Sequence, residues 1–559
     1  RGARLCGAVI LVYLIESVRR RAMLQCGILP GGAVTVTTHP AAPPKKPRDL
    51  RLDFFRGLAM AIILIAHTPT NGWALWIPAR FGFSDATEIF VFCSGFASSL
   101  AFGATFATHG WWIGAARIAH RVWQVYWAHI GVFIVTAALL MAIDLNGWGL
   151  EGRRYVAEPY VVPIFEQTGP YLIGLLTLRY TPGLFDILPM YLVILAMTPL
   201  VMALHRAGGG AAVAAFVGVN WLGANLAGYA FVNGVDGWTP GEASALHDAA
   251  MWLGAQAQFL NFPASPSGTG TWFFNPFGWQ LVFFTGFAFG MGWLRPPPVS
   301  RGLVIAAALA LLISVPFAWF RIHQGFWIPA DWAVTQGIAA VREALAPLWW
   351  KQWQGAFRYA HFMALAYLAW VVVGPRGVVL TQDLPVRLRP ARRRARMAAA
   401  AALALVVTAP YGLAMEIKAA SPALDAWLMQ TVPILSPALI GWLSLAHFAA
   451  LVTLLWNAAP PAALRWLTGP LWRASTPVVR KVGSQSLAVF MTSIPLSQVN
   501  GLILDLIGRD IFRFAAVNVF GVAVLVATAY LVGWMKAQPW RKPAAAHPAR
   551  RSVAPTPAE

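Results

Sequence analysis

Charged residues are scarce in this sequence, and acidic residues are the scarcest of them. Only 11% of the 559 residues are Asp, Glu, Lys or Arg, whereas 58% are hydrophobic. A water-soluble domain cannot bury so large an apolar surface, so the composition excludes an ordinary soluble enzyme. It predicts an all-α bundle of transmembrane helices that crosses the bilayer many times.

Cysteine is also rare, and its placement excludes several kinds of site. The three cysteines, Cys6, Cys26 and Cys93, have neither the spacing of a disulfide framework nor that of a metal site. The sequence contains no glycine-rich phosphate loop and no nucleophile elbow. We therefore expect no bound metal and no bound cofactor. The net charge of +21 comes mostly from short loops between apolar runs, so it does not indicate nucleic-acid binding.

Apolar runs of about 20 residues predict about twelve spans. Basic loops alternate with longer loops that are mixed or acidic, and this alternation predicts that both termini lie in the cytoplasm. The predicted spans are 54–76, 86–107, 121–143, 183–203, 210–232, 274–294, 301–320, 357–374, 397–415, 434–457, 484–506 and 512–535.

The two ends of the chain differ from its apolar middle. Residues 1–47 begin with Arg1 rather than Met and end in a Pro-rich stretch, and we expect a disordered extension or a mis-started reading frame there. Residues 48–535 contain all the predicted spans and are the expected membrane domain. Residues 536–559 are basic and rich in Pro and Ala, which predicts a cytoplasmic tail.

The first predicted span carries ionisable side chains on one face. Arg56 and His67 are eleven residues apart, which corresponds to about 16 Å along a helix axis and about 20° in azimuth. Asp53 precedes Arg56 by three residues and falls near the same face. Ionisable groups at this depth are costly in lipid, so we expect them to face a protein interior or a wet cavity.

These side chains have structural as well as functional interpretations. Asp53 and Arg56 lie near the cytoplasmic end of the span, where they either pair or extend to the interface. A neutral His67 that is hydrogen-bonded to another helix is one interpretation of the histidine. The other is a general base, because the pKa of histidine suits proton transfer near neutrality.

An arginine, ten residues and a histidine in the first span resemble the first motif of the acyltransferase-3 superfamily of membrane acyltransferases. The match comprises Arg56, the decapeptide GLAMAIILIA and His67. The second motif of that superfamily resembles ATEIFVFCSGF (86–96), with Glu88 as the acidic residue and Ser94 in the ending. Similarity to the OpgC branch, the succinyltransferases of osmoregulated periplasmic glucans, comes from RDLRLDFFRGLAM, FGFSDATEIFVFCSGF, FDILPMYLVIL and GSQSLAVFMTS.

The resemblance implies a multi-pass enzyme of the bacterial inner membrane, with a ten-span core and about two additional helices. Such an enzyme moves an acyl group, here expected to be succinyl, from cytoplasmic acyl-CoA to hydroxyls of a periplasmic glucan. His67 is the implied general base and Arg56 the implied catalytic residue at the entrance of the anionic donor. Asp53 is the expected substrate-binding residue that orients Arg56.

The second motif supplies the remaining expected site residues. Glu88 is the third catalytic candidate, and it either orients His67 or binds acceptor hydroxyls. Ser94 is expected to bind substrate by hydrogen bonding to the thioester oxygen. Asp85, together with Ser84, either contacts the glucan or caps the second span.

The alternative function is a transporter or flippase for an acyl group or a glycan precursor, with His67 in a proton relay. About twelve spans are common among secondary transporters. The sequence shows no convincing inverted repeat and no paired broken helices at matching positions, which favours the enzyme. The expected partners are therefore acyl-CoA, a periplasmic glucan or other polysaccharide and the lipid bilayer, with no nucleic acid.

Overall fold

A computed structural model describes residues 49–540 apart from 159, 242–243, 269, 385–387, 413–416, 418–420 and 432–436. The predicted extension at 1–47 and most of the predicted tail at 536–559 lie outside the described residues. Within the described ranges the regular secondary structure is helical, apart from one isolated β-bridge between Pro263 and Thr271. The prediction of an all-α fold is confirmed.

The α-helices follow one another along the described chain. They are α1 (Leu50–His67), α2 (Ala86–Ser98), α3 (Ala104–Leu145), α4 (Val162–Glu166), α5 (Thr168–Leu176), α6 (Ile187–Val232), α7 (Ala245–Gln256), α8 (Pro276–Met291), α9 (Arg301–Ala318), α10 (Phe320–His323), α11 (Ala333–Ala344), α12 (Ala356–Val373), α13 (Ala391–Gly412), α14 (Pro422–Thr431), α15 (Pro437–Ala458), α16 (Pro461–Trp466), α17 (Trp472–Ser484), α18 (Ser486–Ile507) and α19 (Ile511–Ala537).

Eight helical segments of the described chain are long and apolar enough to cross a membrane. Two of them, Ala86–Leu145 and Ile187–Val232, have 60 and 46 residues, and each contains two of the predicted spans. Gly110 interrupts the first segment and Gly209 the second, with positive φ angles of 80° and 64° that glycine adopts without steric penalty. The eight segments therefore correspond to ten predicted spans, and the protein is a multi-pass membrane protein.

The first predicted span ends earlier than expected. Helix α1 covers Leu50–His67, whereas the apolar pattern predicts a span over 54–76. Thr68 adopts extended backbone angles because it precedes Pro69, and the residue before a proline is driven out of the helical region. The predicted end at 76 is therefore wrong, and short 3₁₀ turns at Gly72–Leu75 and Pro78–Arg80 follow the helix.

The main apolar core lies among α1, α2, α3, α6, α8 and α18. Its largest fully buried side chains include Met60, Phe133, Trp279, Phe287 and Phe490. In contrast, only 11% and 17% of the residues in the most apolar stretches of α13 and α15 are buried. These two helices pack mainly on each other. The helices that carry the predicted site therefore belong to the best-packed part of the bundle.

Glycines bring the site helices into backbone contact. A Cβ added at Gly57 would overlap a carbonyl oxygen of α17, and one added at Gly483 would overlap the carbonyl oxygen of Asp53. A Cβ added at Gly95 would overlap the carbonyl oxygen of Phe283. Helix α1 therefore touches α17, and the Ser-Gly-Phe ending of the second motif packs α2 on α8, in the way that small residues bring membrane helices together.

We expect Gly95→Ala to lower the melting temperature of the detergent-solubilised protein. The added methyl group overlaps the Phe283 carbonyl oxygen, and overpacking of this kind costs about 1–3 kcal/mol. Gly131→Ala is the matched control, because Gly131 is also helical and its added Cβ meets no atom within 4 Å. Equal melting temperatures of the two variants would show that α2 and α8 are not in direct contact.

Candidate active site

Helix α1 carries Asp53, Arg56 and His67 without a break, as the spacing predicts. Asp49 caps the helix by accepting a hydrogen bond from the backbone N–H of Arg51 at 3.0 Å. Asp53 is buried, and Arg56 and His67 are half-buried. Because the helix is continuous, Arg56 in its N-terminal half and His67 at its C-terminal end lie on one face. The site therefore has an Arg56 end and a His67 end.

The Arg56 end is built by α1 and by the junction between α17 and α18. Arg56 Nη2 donates a hydrogen bond to the hydroxyl oxygen of Ser486, which is buried at the start of α18. The close approach of Gly483 to α1 brings Ser486 within reach. Both residues belong to the GSQSLAVFMTS stretch that resembles the OpgC branch, but their contact with α1 is visible only in the fold.

Ser94 is buried on α2, next to the glycine that contacts α8. The preceding residue, Cys93, lies within electrostatic range of Arg56 and Asp53. This part of α2 therefore runs beside the Arg56 half of α1. The expected hydrogen bond from Ser94 to a thioester oxygen stays a prediction.

His67 is the last residue of α1 and faces a cluster of charged side chains. Its Nδ1 atom is buried and has no hydrogen-bond partner among the described residues. Lys351 and Asp85 are the charged side chains within electrostatic range of its ring. The hydrogen bond to another helix that the structural interpretation requires is therefore not found for Nδ1 in the described part of the chain.

The second motif begins with reciprocal hydrogen bonds at the start of α2. Asp85 Oδ1 accepts a bond from the backbone N–H of Thr87 at 2.6 Å, and Glu88 Oε2 accepts one from the backbone N–H of Asp85 at 2.8 Å. This capping box satisfies N–H groups that have no partner within the helix. Asp85 therefore caps α2, while its expected contact with the glucan stays a prediction.

Arg358 of α12 binds the carboxylate of Glu88. Its Nε and Nη2 atoms donate to Glu88 Oε1 at 2.9 and 2.6 Å, and Glu88 is fully buried. One oxygen of Glu88 is thus held by Arg358 and the other by the Asp85 N–H. The described hydrogen bonds of Glu88 do not include one with His67. The expectation that Glu88 orients His67 is therefore not supported by a described hydrogen bond between them.

Lys351 joins the cluster from the segment before α12. Its Nζ donates to Asp85 Oδ2 at 2.6 Å, and Arg358 Nη2 lies 3.6 Å from the same oxygen. Burial by itself raises the pKa of Asp85, but the charges of Lys351 and Arg358 outweigh burial and hold that pKa well below its ordinary value. Asp85 therefore stays ionised near neutral pH and ties α2 to the segment that carries both cations.

Asp186 lies immediately before α6 and is also buried. Burial raises its pKa to about 7, against the opposing effect of the Lys351 charge. Lys351 consequently lies within electrostatic range of four titratable groups, namely His67, Asp85, Glu88 and Asp186. It is the central cation of the His67 end.

Comparison with known families gives one match. The family model described as OpgC protein matches residues 48–385 and 376–537, which together cover most of the chain. The chain belongs to the OpgC family. This membership confirms the resemblance to the OpgC branch and supports a glucan-modifying membrane enzyme of the acyltransferase type. Comparison with curated proteins and comparison with solved structures gave no match.

Two site residues of this OpgC-family chain, Lys351 and Arg358, are not predicted from the sequence. Arg358 lies inside the predicted span 357–374, so the rule that singles out Arg56, an ionisable side chain in an apolar run, also applies to it. Lys351 lies outside the predicted spans in the Trp-rich stretch WWKQWQG and has no comparable signal. Only the fold brings it to Asp85.

The two ends of the OpgC-family site offer different chemistry. The guanidinium at the Arg56 end is suited to binding an anion, because planar N–H donors match carboxylate and phosphate oxygens. The imidazole at the His67 end lies within electrostatic range of an ammonium–carboxylate pair and is suited to proton transfer. Among the residues that the structure describes, no group of three or more His, Cys, Asp or Glu side chains is placed to hold a metal ion.

Proposed function

We propose that this OpgC-family protein is an inner-membrane O-acyltransferase related to the acyltransferase-3 superfamily. It transfers an acyl group, succinyl in our proposal, from cytoplasmic acyl-CoA to hydroxyl groups of a periplasmic glucan. The observation that carries the proposal is the placement of Arg56 in the N-terminal half and His67 at the C-terminal end of one continuous helix. A guanidinium for the donor and a ring nitrogen without a described protein partner thus belong to the same helix.

The proposal includes about twelve spans with both termini in the cytoplasm. The eight long segments correspond to ten of these spans, and helices α1 and α8, with 18 and 16 residues, are the other two. The presence of Arg51 and Lys481 at the Arg56 end supports a cytoplasmic location for that end. Acyl-CoA then enters at the Arg56 end, and the glucan approaches the His67 end from the periplasm.

In the proposed reaction His67 acts as the general base. It takes the proton of a glucan hydroxyl while the hydroxyl oxygen attacks the thioester carbonyl carbon. The new C–O ester bond forms, the C–S bond breaks, and the proton passes from His67 to the departing thiolate. The flexible arm of the donor covers the separation of about 16 Å between Arg56 and His67. Glu88 and Arg358 are positioning residues that hold α2 and α12 around His67.

Transfer of label from succinyl-CoA to glucan tests this function. Membranes that contain the protein are incubated with succinyl-CoA labelled in the succinyl group and with purified glucan, and membranes without the protein serve as the control. We expect label in the glucan as an ester that mild alkali releases. Accumulation of label inside vesicles without ester formation would instead support the transporter and overturn the proposal.

We expect Arg56→Lys to lower kcat/KM for acyl-CoA about tenfold even though the charge is retained. Lysine lacks the planar fork that lets arginine contact Ser486 and an anion at the same time. Arg473→Lys is the matched control, because Arg473 is half-exposed on α17 and pairs with Asp383 at 2.7 Å. Full activity of Arg56→Lys would show that Arg56 only anchors the helix.

A further inference from the structure

Three cations from three helices converge at the Arg56 end of the bundle. Arg121 of α3 and Lys481 of α17 each lie within electrostatic range of Lys536 on α19. Lys536 Nζ donates a hydrogen bond to Gln485 Oε1 at 2.7 Å. We call Arg121, Lys481 and Lys536 the basic cluster. Gln485, which accepts this bond, directly precedes the serine that contacts Arg56.

A glycine shapes the basic cluster. The Lys481 ammonium lies against Gly533 of α19, at the position that a Cβ there would occupy. The side-chain nitrogen of Gln485 is 4.0 Å from the same position. Because Gly533 has no side chain, Lys481 and Lys536 can both approach Gln485.

The described partners of the basic cluster are neutral. Arg121 Nη1 donates to Gln124 Oε1 at 3.1 Å, and Lys481 Nζ lies 5.6 Å from the ring centroid of Tyr530. No carboxylate among the described residues forms an ion pair with the cluster. Like charges in proximity repel each other, so this arrangement is unfavourable until an anion lies among them.

Another cation on the same helix, Arg473, is arranged differently. Arg473 of α17 pairs with a carboxylate, that of Asp383, at 2.7 Å. The basic cluster, in contrast, has no described ion pair with a carboxylate.

We propose that Arg121, Lys481 and Lys536 form a phosphate-binding site. The phosphates are those of the acyl-CoA donor, so this inference rests on the proposed function. Coenzyme A carries a diphosphate and a 3′-phosphate far from its thioester. Lysine and arginine donate charge-assisted hydrogen bonds to phosphate oxygens. Lys536 of the cluster contacts Gln485, and the next residue, Ser486, contacts Arg56. A donor whose phosphates bind to the cluster therefore extends its acyl arm along α1. An anionic lipid headgroup presents the same phosphate chemistry.

Binding of unacylated coenzyme A tests the site without any acyl transfer. The full chain is placed in nanodiscs of zwitterionic phosphatidylcholine, and the Kd is measured by titration calorimetry. We expect the double variant Lys481→Gln/Lys536→Gln to raise this Kd about tenfold, since two charge contacts near the surface are lost. Arg473→Gln removes one charge from the same helix and is the matched control, which we expect to leave the Kd unchanged. An unchanged Kd in the double variant overturns the assignment to the donor.

A second arm distinguishes the two sources of phosphate. Native mass spectrometry counts the phosphatidylglycerol molecules retained by the wild type and by the double variant. Loss of retained lipid with an unchanged coenzyme A affinity assigns the phosphate to a lipid headgroup, and no change in either measurement overturns the site. If the double variant loses coenzyme A affinity while the wild type transfers no acyl group, the phosphate site stands and the proposed function fails.

Discussion

Replacement of His67 by alanine is expected to lower kcat for acyl transfer about 10²- to 10⁴-fold, the range that a positioned general base contributes. A glucan hydroxyl is a poor nucleophile until its proton is removed, and His67 is the candidate base at its end of the site. The KM for acyl-CoA is expected to change little, because Arg56 lies about 16 Å from His67 along α1. The measurement is transfer of labelled succinyl groups by membranes with matched protein levels.

Two further variants sharpen the His67 experiment. His67→Gln retains a hydrogen-bonding side chain of similar size but accepts no proton, so we expect it to be as inactive as the alanine variant. His109→Ala removes an exposed histidine of α3 and is expected to retain full activity. Wild-type activity in His67→Gln would remove the histidine from its proposed role as base.

Arg358→Met is expected to be among the most destabilising single substitutions in the described chain. It leaves the Glu88 carboxylate fully buried without the cation that donates two hydrogen bonds to it. Removal of one partner from a buried ion pair costs about 3–5 kcal/mol. We expect a clear fall in the melting temperature of the detergent-solubilised protein, measured by intrinsic tryptophan fluorescence.

The double variant Glu88→Met/Arg358→Met separates loss of the pair from loss of packing. With both charges removed, no charge of the pair is left buried without its partner, and we expect most of the stability to return. Recovery should be incomplete by about 1 kcal/mol, because Glu88 Oε2 also accepts the Asp85 N–H at the start of α2. A double variant that melts no higher than Arg358→Met would contradict the proposed charge pairing.

Two predictions that depend only on nearby residues agree with the structure. Composition predicts the all-α membrane fold, and the spacing within one helix predicts that Arg56 and His67 share a face. Both follow from the period of a helix and from the length of the apolar runs. The end of α1 was predictable by the same local reasoning, because Pro69 directly follows Thr68.

Contacts between segments that are distant in the sequence could not be predicted in this way. Asp85 and Lys351 are 266 residues apart, and Arg56 and Ser486 are 430 residues apart. Which helices become neighbours depends on the packing of the whole bundle, including the glycine contact between α1 and α17. A single sequence contains no direct measure of that packing. The partners of the predicted site residues therefore emerge only from the fold.

Sidedness of transfer tests the central claim, that α1 connects a donor at its Arg56 end with an acceptor at its His67 end. Proteoliposomes enclose glucan, labelled succinyl-CoA is added outside, and protease cleavage of the C-terminal tail reports the orientation of the protein. The account predicts labelled glucan inside vesicles whose protein has its Arg56 end outward, and none with His67→Ala. Labelled glucan that forms only when donor and acceptor share one compartment would contradict it.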